Sequence, residues 1–170
     1  MAFIGVLFAL DEEQTAALRA TDRAARPTFI RDELEDVFWY DRKEDMAELD
    51  MAWNAMHRLL TNGKLEFGND CAPLSGMIMG GEALYGDREG EDAYIITWKS
   101  PELVREIAAA ADAVTITDFR EKYFALDPEE YNLTPYQEDF EYTWTYFRRS
   151  LPFWRHAAAE GKAVLFTADR

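Results

Sequence analysis

The sequence predicts an α/β fold: a single compact domain with a small mixed β-sheet flanked by helices, a long aromatic-rich C-terminal helical segment and a last strand. Three observations carry this expectation. Short apolar runs at Ala2–Ala9, Ala93–Trp98 and Ala163–Thr167 alternate with segments of helical periodicity. Ser100-Pro101-Glu102 joins a strand to a helix with an N-cap, a proline at the first helical position and an early carboxylate. Phe140, Trp144, Phe147, Leu151 and Trp154 recur at alternating spacings of four and three, which makes an aromatic seam on one helical face. With 170 residues and no Pro-rich or Gly/Ser-rich linker, residues 1–170 read as one domain. A domain of this size buries roughly 70% of its unfolded surface.

Taken in order, Ala2 to Ala9 reads as a strand and Asp11 to Ala20 as a helix, with Gln14 placed to close a capping box on Asp11. Thr28 is expected to cap a short helix through Leu34, and Val37-Phe38-Trp39-Tyr40 has the aromatic, β-branched content of a short strand. Asp50 is expected to cap the next helix, on which Leu49, Trp53, Met56 and Leu60 form one apolar stripe and belong to the core. Pro73 to Met79 reads as one helical turn or an extended piece, ended by Gly80-Gly81. The strand Ala93–Trp98 leads into the Ser100-capped helix to Asp112; Thr117 caps a helix through Phe124 and Asp127-Pro128-Glu129 starts a shorter one. Pro135 precedes the aromatic seam. Pro152 lacks the N–H that would bond to the Arg148 carbonyl, so a kink or a break is expected near Arg148 to Leu151. Gly161 is a natural C′ residue, and Ala163–Thr167 is the final strand.

Composition narrows the function classes. Thirty-three acidic residues against 18 basic ones give a formal charge of −15, which repels phosphate backbones and anionic lipid surfaces. No nucleic acid and no membrane partner is expected; the charge either steers a basic protein or merely keeps the surface solvated. The apolar N-terminus lacks a basic n-region and runs into Asp11-Glu12-Glu13, so it reads as a strand and not as a signal peptide. No other apolar run approaches the ~20 residues of a membrane helix. Cys71 is the lone cysteine, which excludes an intramolecular disulfide and fits a reducing, cytoplasmic setting.

Taken together, Phe3-Ile4-Gly5 with the Asp11-Glu12-Glu13 helix, Leu49-Asp50-Met51-Ala52-Trp53 through His57-Arg58-Leu59-Leu60-Thr61, Pro73-Leu74, Gly80-Gly81-Glu82 and Ser100-Pro101-Glu102 resemble the YfbM-like family of small bacterial proteins. The order and spacing of these segments carry the resemblance, which covers most of the chain and is weak over Arg23 to Glu44. Met56 stands where an aliphatic leucine is usual, and Asn62-Gly63 replaces a glycine directly after the threonine. The family is a domain of unknown function. The resemblance implies a compact α/β fold and a bacterial cytosolic setting, and carries over no catalytic residue.

Chemistry has therefore to be read from the residues. Gly76 and Gly81 are spaced as in a phosphate loop, but Glu82 stands where lysine is needed. Cys71 and His57 are the residue types of a nucleophile and its base, without the local motifs of cysteine hydrolases; Ser75 lacks the G-x-S-x-G elbow. Histidine and cysteine do not cluster as transition-metal ligands, and Asp87–Asp92 departs from the EF-hand order, so no metal and no cofactor is expected. Trp39, Tyr40, Tyr85, Tyr94, Trp98, Tyr142 and Tyr146 exceed what one core requires. Two function classes follow. The first is an acidic interaction protein without catalytic activity, for instance one that neutralises a basic protein. The second is a small-molecule-binding protein or enzyme with a pocket near Trp53, His57 and Trp98. His57, one turn after Trp53, is either that pocket's titratable group or a structural one held by a backbone carbonyl.

Overall fold

In the computed structural model, which describes residues 4–68 and 71–169, β1 (Gly5–Leu10), β2 (Met46–Asp50), β3 (Glu82–Tyr85), β4 (Tyr94–Lys99) and β5 (Ala163–Asp169) form one sheet in the order β2-β1-β5-β4-β3. Ala2 and Phe3, the start of the expected first strand, lie outside the described residues. Every neighbouring pair is antiparallel, where a mixed sheet was expected. The helical connections between β1 and β2 and between β4 and β5 each return the chain in the opposite sense, so no parallel crossover forms.

The sheet is covered on both sides, which is why β1 and β5 read as continuous apolar runs without alternation. On one face Val6, Phe8 and Leu10 pack against Leu18, Ile30, Leu34 and Phe38. On the other, Leu7, Ala9, Val164 and Phe166 meet Trp53, Met56, Ile107, Phe147 and Trp154.

The first cover begins with α1 (Glu12–Ala20), where the Asp11 carboxylate accepts from Gln14 N–H at 2.8 Å and Gln14 Oε1 accepts from Asp11 N–H at 3.0 Å, the capping box read from the sequence. It continues through α2 (Arg26–Phe29), a π-helical turn (Ile30–Leu34) and α3 (Glu35–Asp41), one unbroken helical stretch. Thr28 therefore lies inside a helix and caps nothing, and Val37–Tyr40 is helix and not strand. The i, i+4 spacing of Ile30, Leu34 and Phe38 buries one helical face, with the Phe38 ring 5.0 Å from Phe8, and this packing outweighs the local β-propensity.

On the opposite face, α4 (Ala52–Leu59) follows β2 directly. Asp50 is not its cap. Asp50 closes β2 opposite Gly5 with a left-handed φ of 48°, and its carboxylate accepts from Tyr146 Oη at 3.3 Å. Leu49, Trp53, Met56 and Leu60 are buried as expected, although Leu49 belongs to the strand. A 3₁₀ turn (Leu74–Met77) precedes β3. In α5 (Pro101–Asp112) the Ser100 hydroxyl accepts from Leu103 N–H at 3.2 Å. The N-cap of α6 (Ile116–Phe124) is Thr115 and not Thr117, a position that turns Phe119 and Tyr123 into the core. After α7 (Pro128–Tyr131), capped by Asp127, α8 (Gln137–Ala159) continues for 23 residues through Pro152. The expected break is absent: Phe147 and Trp154, buried on either side of the proline, hold both halves on one core. At its end Gly161, φ 65°, donates to the Ala158 carbonyl and Lys162 N–H to that of Ala157, a Schellman turn. No described helix is long and apolar enough to cross a membrane.

Candidate functional site

The three residues expected to share a pocket are not brought together. Trp53 and His57 lie on α4 in one core, whereas Trp98 packs against the core on the other side of the sheet. Alternation along β4 explains this: with Ile95 and Thr97 turned towards α4, Trp98 must point away. Trp98 instead lines a separate cleft with Leu10 and Lys162, where the Arg19 guanidinium lies 4.3 Å from its ring centroid.

His57 is 1% exposed and both its ring nitrogens are taken by backbone. Nε2 is 3.0 Å from the Glu66 carbonyl, and Nδ1 accepts from Met79 N–H at 3.4 Å, which assigns the proton to Nε2. Burial, reinforced by the nearby Lys99 charge and opposed by the Glu66 carbonyl, pushes its pKa down to about 4. A nearby group went unnoticed in the sequence. Lys99 is fully buried; its Nζ donates to the carbonyls of Ile78 (2.5 Å) and Gly80 (3.0 Å) and to Thr97 Oγ1, and burial holds its pKa well below the ordinary lysine value. Thr97 Oγ1 donates to the Ile78 carbonyl at 2.8 Å. His57, Thr97 and Lys99 thus clamp the backbone from Ile78 to Gly80. The period of two along β4 places Lys99 on the same face as Ile95 and Thr97, the signal that could have found it.

The remaining sequence candidates are also accounted for locally. Cys71 is exposed, while both nitrogens of His57, its expected base, are already hydrogen-bonded. The Asp87–Asp92 loop is organised by Arg23, which pairs with Asp87 and Glu91, and Glu91 accepts from Gly86 N–H at 2.7 Å. The bond from Arg23 holds the Glu91 carboxyl below the usual carboxylate range. Among the described residues no three of His, Cys, Asp and Glu form a group that could hold a metal.

What the fold does assemble beside Trp53 is a cleft of about 560 Å³ between α4, α7 and α8. The start of α4 contributes Trp53 and the Met51 that precedes it, the end of α7 Tyr131 with Leu133 just beyond, and the first turns of α8 Asp139 and Tyr142. Asn132 turns the chain out of α7 in the left-handed conformation, φ 59°. Asp139 Oδ2 accepts from the hydroxyls of Tyr123 (2.6 Å) and Tyr131 (2.8 Å). Burial and this carboxylate push both phenol pKa values upward. Tyr142 Oη accepts from Met51 N–H at 3.2 Å and its ring meets Tyr146 edge-on at 5.0 Å. Among the described residues no lysine, arginine or histidine lines this cleft. By contrast, other clefts hold Arg58 and Lys122, Lys43 and Arg149, Arg19 and Lys162, or Arg31.

Fold and cleft together define an acidic α/β protein whose antiparallel sheet is sandwiched between helices. The chain belongs to the family described as a domain of unknown function, DUF1877, which matches residues 1–167. It is similar to the crystal structure of YfbM from Escherichia coli, a protein of unknown function, with a TM-score of 0.59 over 97% of this chain and 99% of that one. The identity is 16%, so the likeness is one of fold. No curated protein matches the chain.

Proposed function

We propose that this chain is a cytoplasmic binding protein that holds a basic protein partner and performs no catalysis of its own. The charge carries the reading: 33 acidic against 18 basic side chains, −15 overall, attracts a cationic surface and repels nucleic acid and anionic lipid. The cleft beside Trp53 supports it, because among the described residues its only charged lining residue is Asp139 and its aromatic walls are of the kind that dominate binding surfaces. One observation favours a second reading, a small-molecule ligand: the same cleft, at about 560 Å³, has the size of a ligand site.

The test is affinity capture from a native lysate of the source organism at low salt, with the retained proteins and metabolites identified by mass spectrometry, followed by the association rate of the purified partner against salt. A basic protein whose on-rate falls steeply between 0.1 M and 1 M salt is expected, since the Debye length shortens from ~10 Å to ~3 Å over that range. A neutral or acidic partner, or an on-rate indifferent to salt, refutes charge-driven capture. A retained metabolite without a protein turns the assignment to the second reading.

A further inference from the structure

We propose, resting on the basic-partner reading above, that the cleft between α4, α7 and α8 is the anchor site for an arginine side chain of that partner. Asp139 is the recognition group. Its Oδ2 is held by Tyr123 and Tyr131, while Oδ1 has no hydrogen bond among the described residues and is left to accept one from a guest. Tyr131 and Tyr142, both half-buried, wall the same space, and Trp53, only 2% exposed, adjoins it. A guanidinium is planar, so it can lie on an aromatic face and still donate in its own plane to a carboxylate, which a point-like ammonium cannot do.

The fold already contains this arrangement once. Arg19 lies 4.3 Å over the Trp98 ring while its two terminal nitrogens donate to the two oxygens of Glu82 at 3.0 and 2.6 Å. At Trp98 the chain supplies its own guanidinium. The Trp53 cleft offers the Tyr131 and Tyr142 rings and a carboxylate, with no cation of its own among the described residues. Arg58 approaches the Tyr131 ring at 5.7 Å, but it is tied to Asn54 Oδ1 and the Gly63 carbonyl and lines the neighbouring cleft. The rim is apolar and open: Met51 is 56% and Leu133 39% exposed, and both are placed to cover the methylenes of an arginine whose backbone passes outside. An arginine borne on a partner chain is therefore the occupant, drawn in by the −15 charge.

The probe is a short glycine peptide with one central arginine, compared with its citrulline and lysine counterparts and titrated into the full chain. The readout is the NMR signal of each of the five tryptophan indoles. The arginine peptide should shift the Trp53 indole saturably and leave Trp98 unmoved, with citrulline and lysine each at least about tenfold weaker. Asp139→Asn should weaken the arginine peptide by about tenfold to a hundredfold, the range for one hydrogen bond to a charged group. Leu133→Arg, which changes an exposed rim residue and leaves the core alone, should abolish binding by placing a guanidinium in the mouth. The proposal is overturned by an unmoved Trp53 signal, by equal affinity for the citrulline or lysine peptide, or by undiminished binding in either variant. Equal salt-sensitive binding to wild type and Asp139→Asn, with shifts scattered over the surface, would remove the anchor and leave the basic-partner reading standing. That reading fails separately if the captured partner's on-rate ignores salt.

Discussion

Lowering the pH should destabilise this protein through His57. In the folded state burial pushes its pKa down to about 4, whereas an unfolded histidine titrates near 6.5. Above the unfolded value the ring is neutral in both states and costs nothing. Below it the unfolded chain binds a proton that the folded chain resists, so stability falls with pH across the window from about 6.5 to about 4. Integrating the two titration curves gives a loss of about 2 kcal/mol by pH 5 and about 3 kcal/mol by pH 4. Protonating Nδ1 would also set an N–H against the Met79 N–H that it now accepts from. Carboxylates such as Glu82, held low by its bond from Arg19, lose stabilisation in the same direction, so the measurement must be a difference. Urea unfolding of wild type and His57→Gln between pH 4 and 7 isolates it. Glutamine keeps a donor for the Glu66 carbonyl but cannot titrate, so the variant should be less stable at pH 7, and the gap should shrink by about 2 kcal/mol by pH 5. Parallel curves would mean that the histidine is not protonated on unfolding in this window, and the burial argument would be wrong.

Three further outcomes test the packing. Trp53 is 2% exposed with its ring 5.6 Å from that of Phe166, so Trp53→Ala should cost about 3–5 kcal/mol in denaturant melts; a loss below about 1 kcal/mol would show that the indole is not core. A Cβ on Gly5 would lie 2.7 Å from Trp53 Cδ1, so Gly5→Ala should destabilise by about 1–3 kcal/mol, and an unchanged thermal midpoint would refute that contact. Lys99→Met removes the donor to the Gly80 carbonyl, with an expected loss of about 1–3 kcal/mol and faster amide hydrogen exchange between Ser75 and Gly81; exchange that stays slow would show that the lysine does not hold this segment.

Where several local signals agreed, the sequence and the structure agree. The capping box at Asp11, the serine and proline that open α5 and the aromatic seam of α8 each combine a cap or punctuation with a period, and each element starts within a residue or two of its expected place. The misread segments are those where a residue type points one way and long-range packing another. Val37–Tyr40 has strand composition but lies on a helix whose buried face is set by packing against Val6, Phe8 and Leu10 of β1. Asp50 has the chemistry of an N-cap, yet strand pairing with Gly5 and the bond from Tyr146 use it as the corner between β2 and α4. Glu82–Tyr85 is too short to show a period of its own and becomes a strand by pairing with β4.

The candidate site was half legible for the same reason. Trp53 stands out because it sits in a strongly amphipathic helix, but Asp139, Tyr131 and Tyr142 join it from two other helices, across contacts such as Met51 with Tyr142 that span 91 residues. Trp53 and Trp98 carry the same signature in one dimension, a large aromatic beside apolar neighbours. In three dimensions they differ in the charge set against them. Arg19 and Glu82 reach Trp98 from α1 and β3, so that ring already has a cation and the cation already has its carboxylate. Among the described residues the carboxylate that reaches the Trp53 cleft is Asp139, with two tyrosines on one oxygen and no cation lining the space. No spacing rule along the chain separates these two cases, because what separates them is which helix passes over the ring. That depends on the sheet order that puts α1 on one face and α8 on the other.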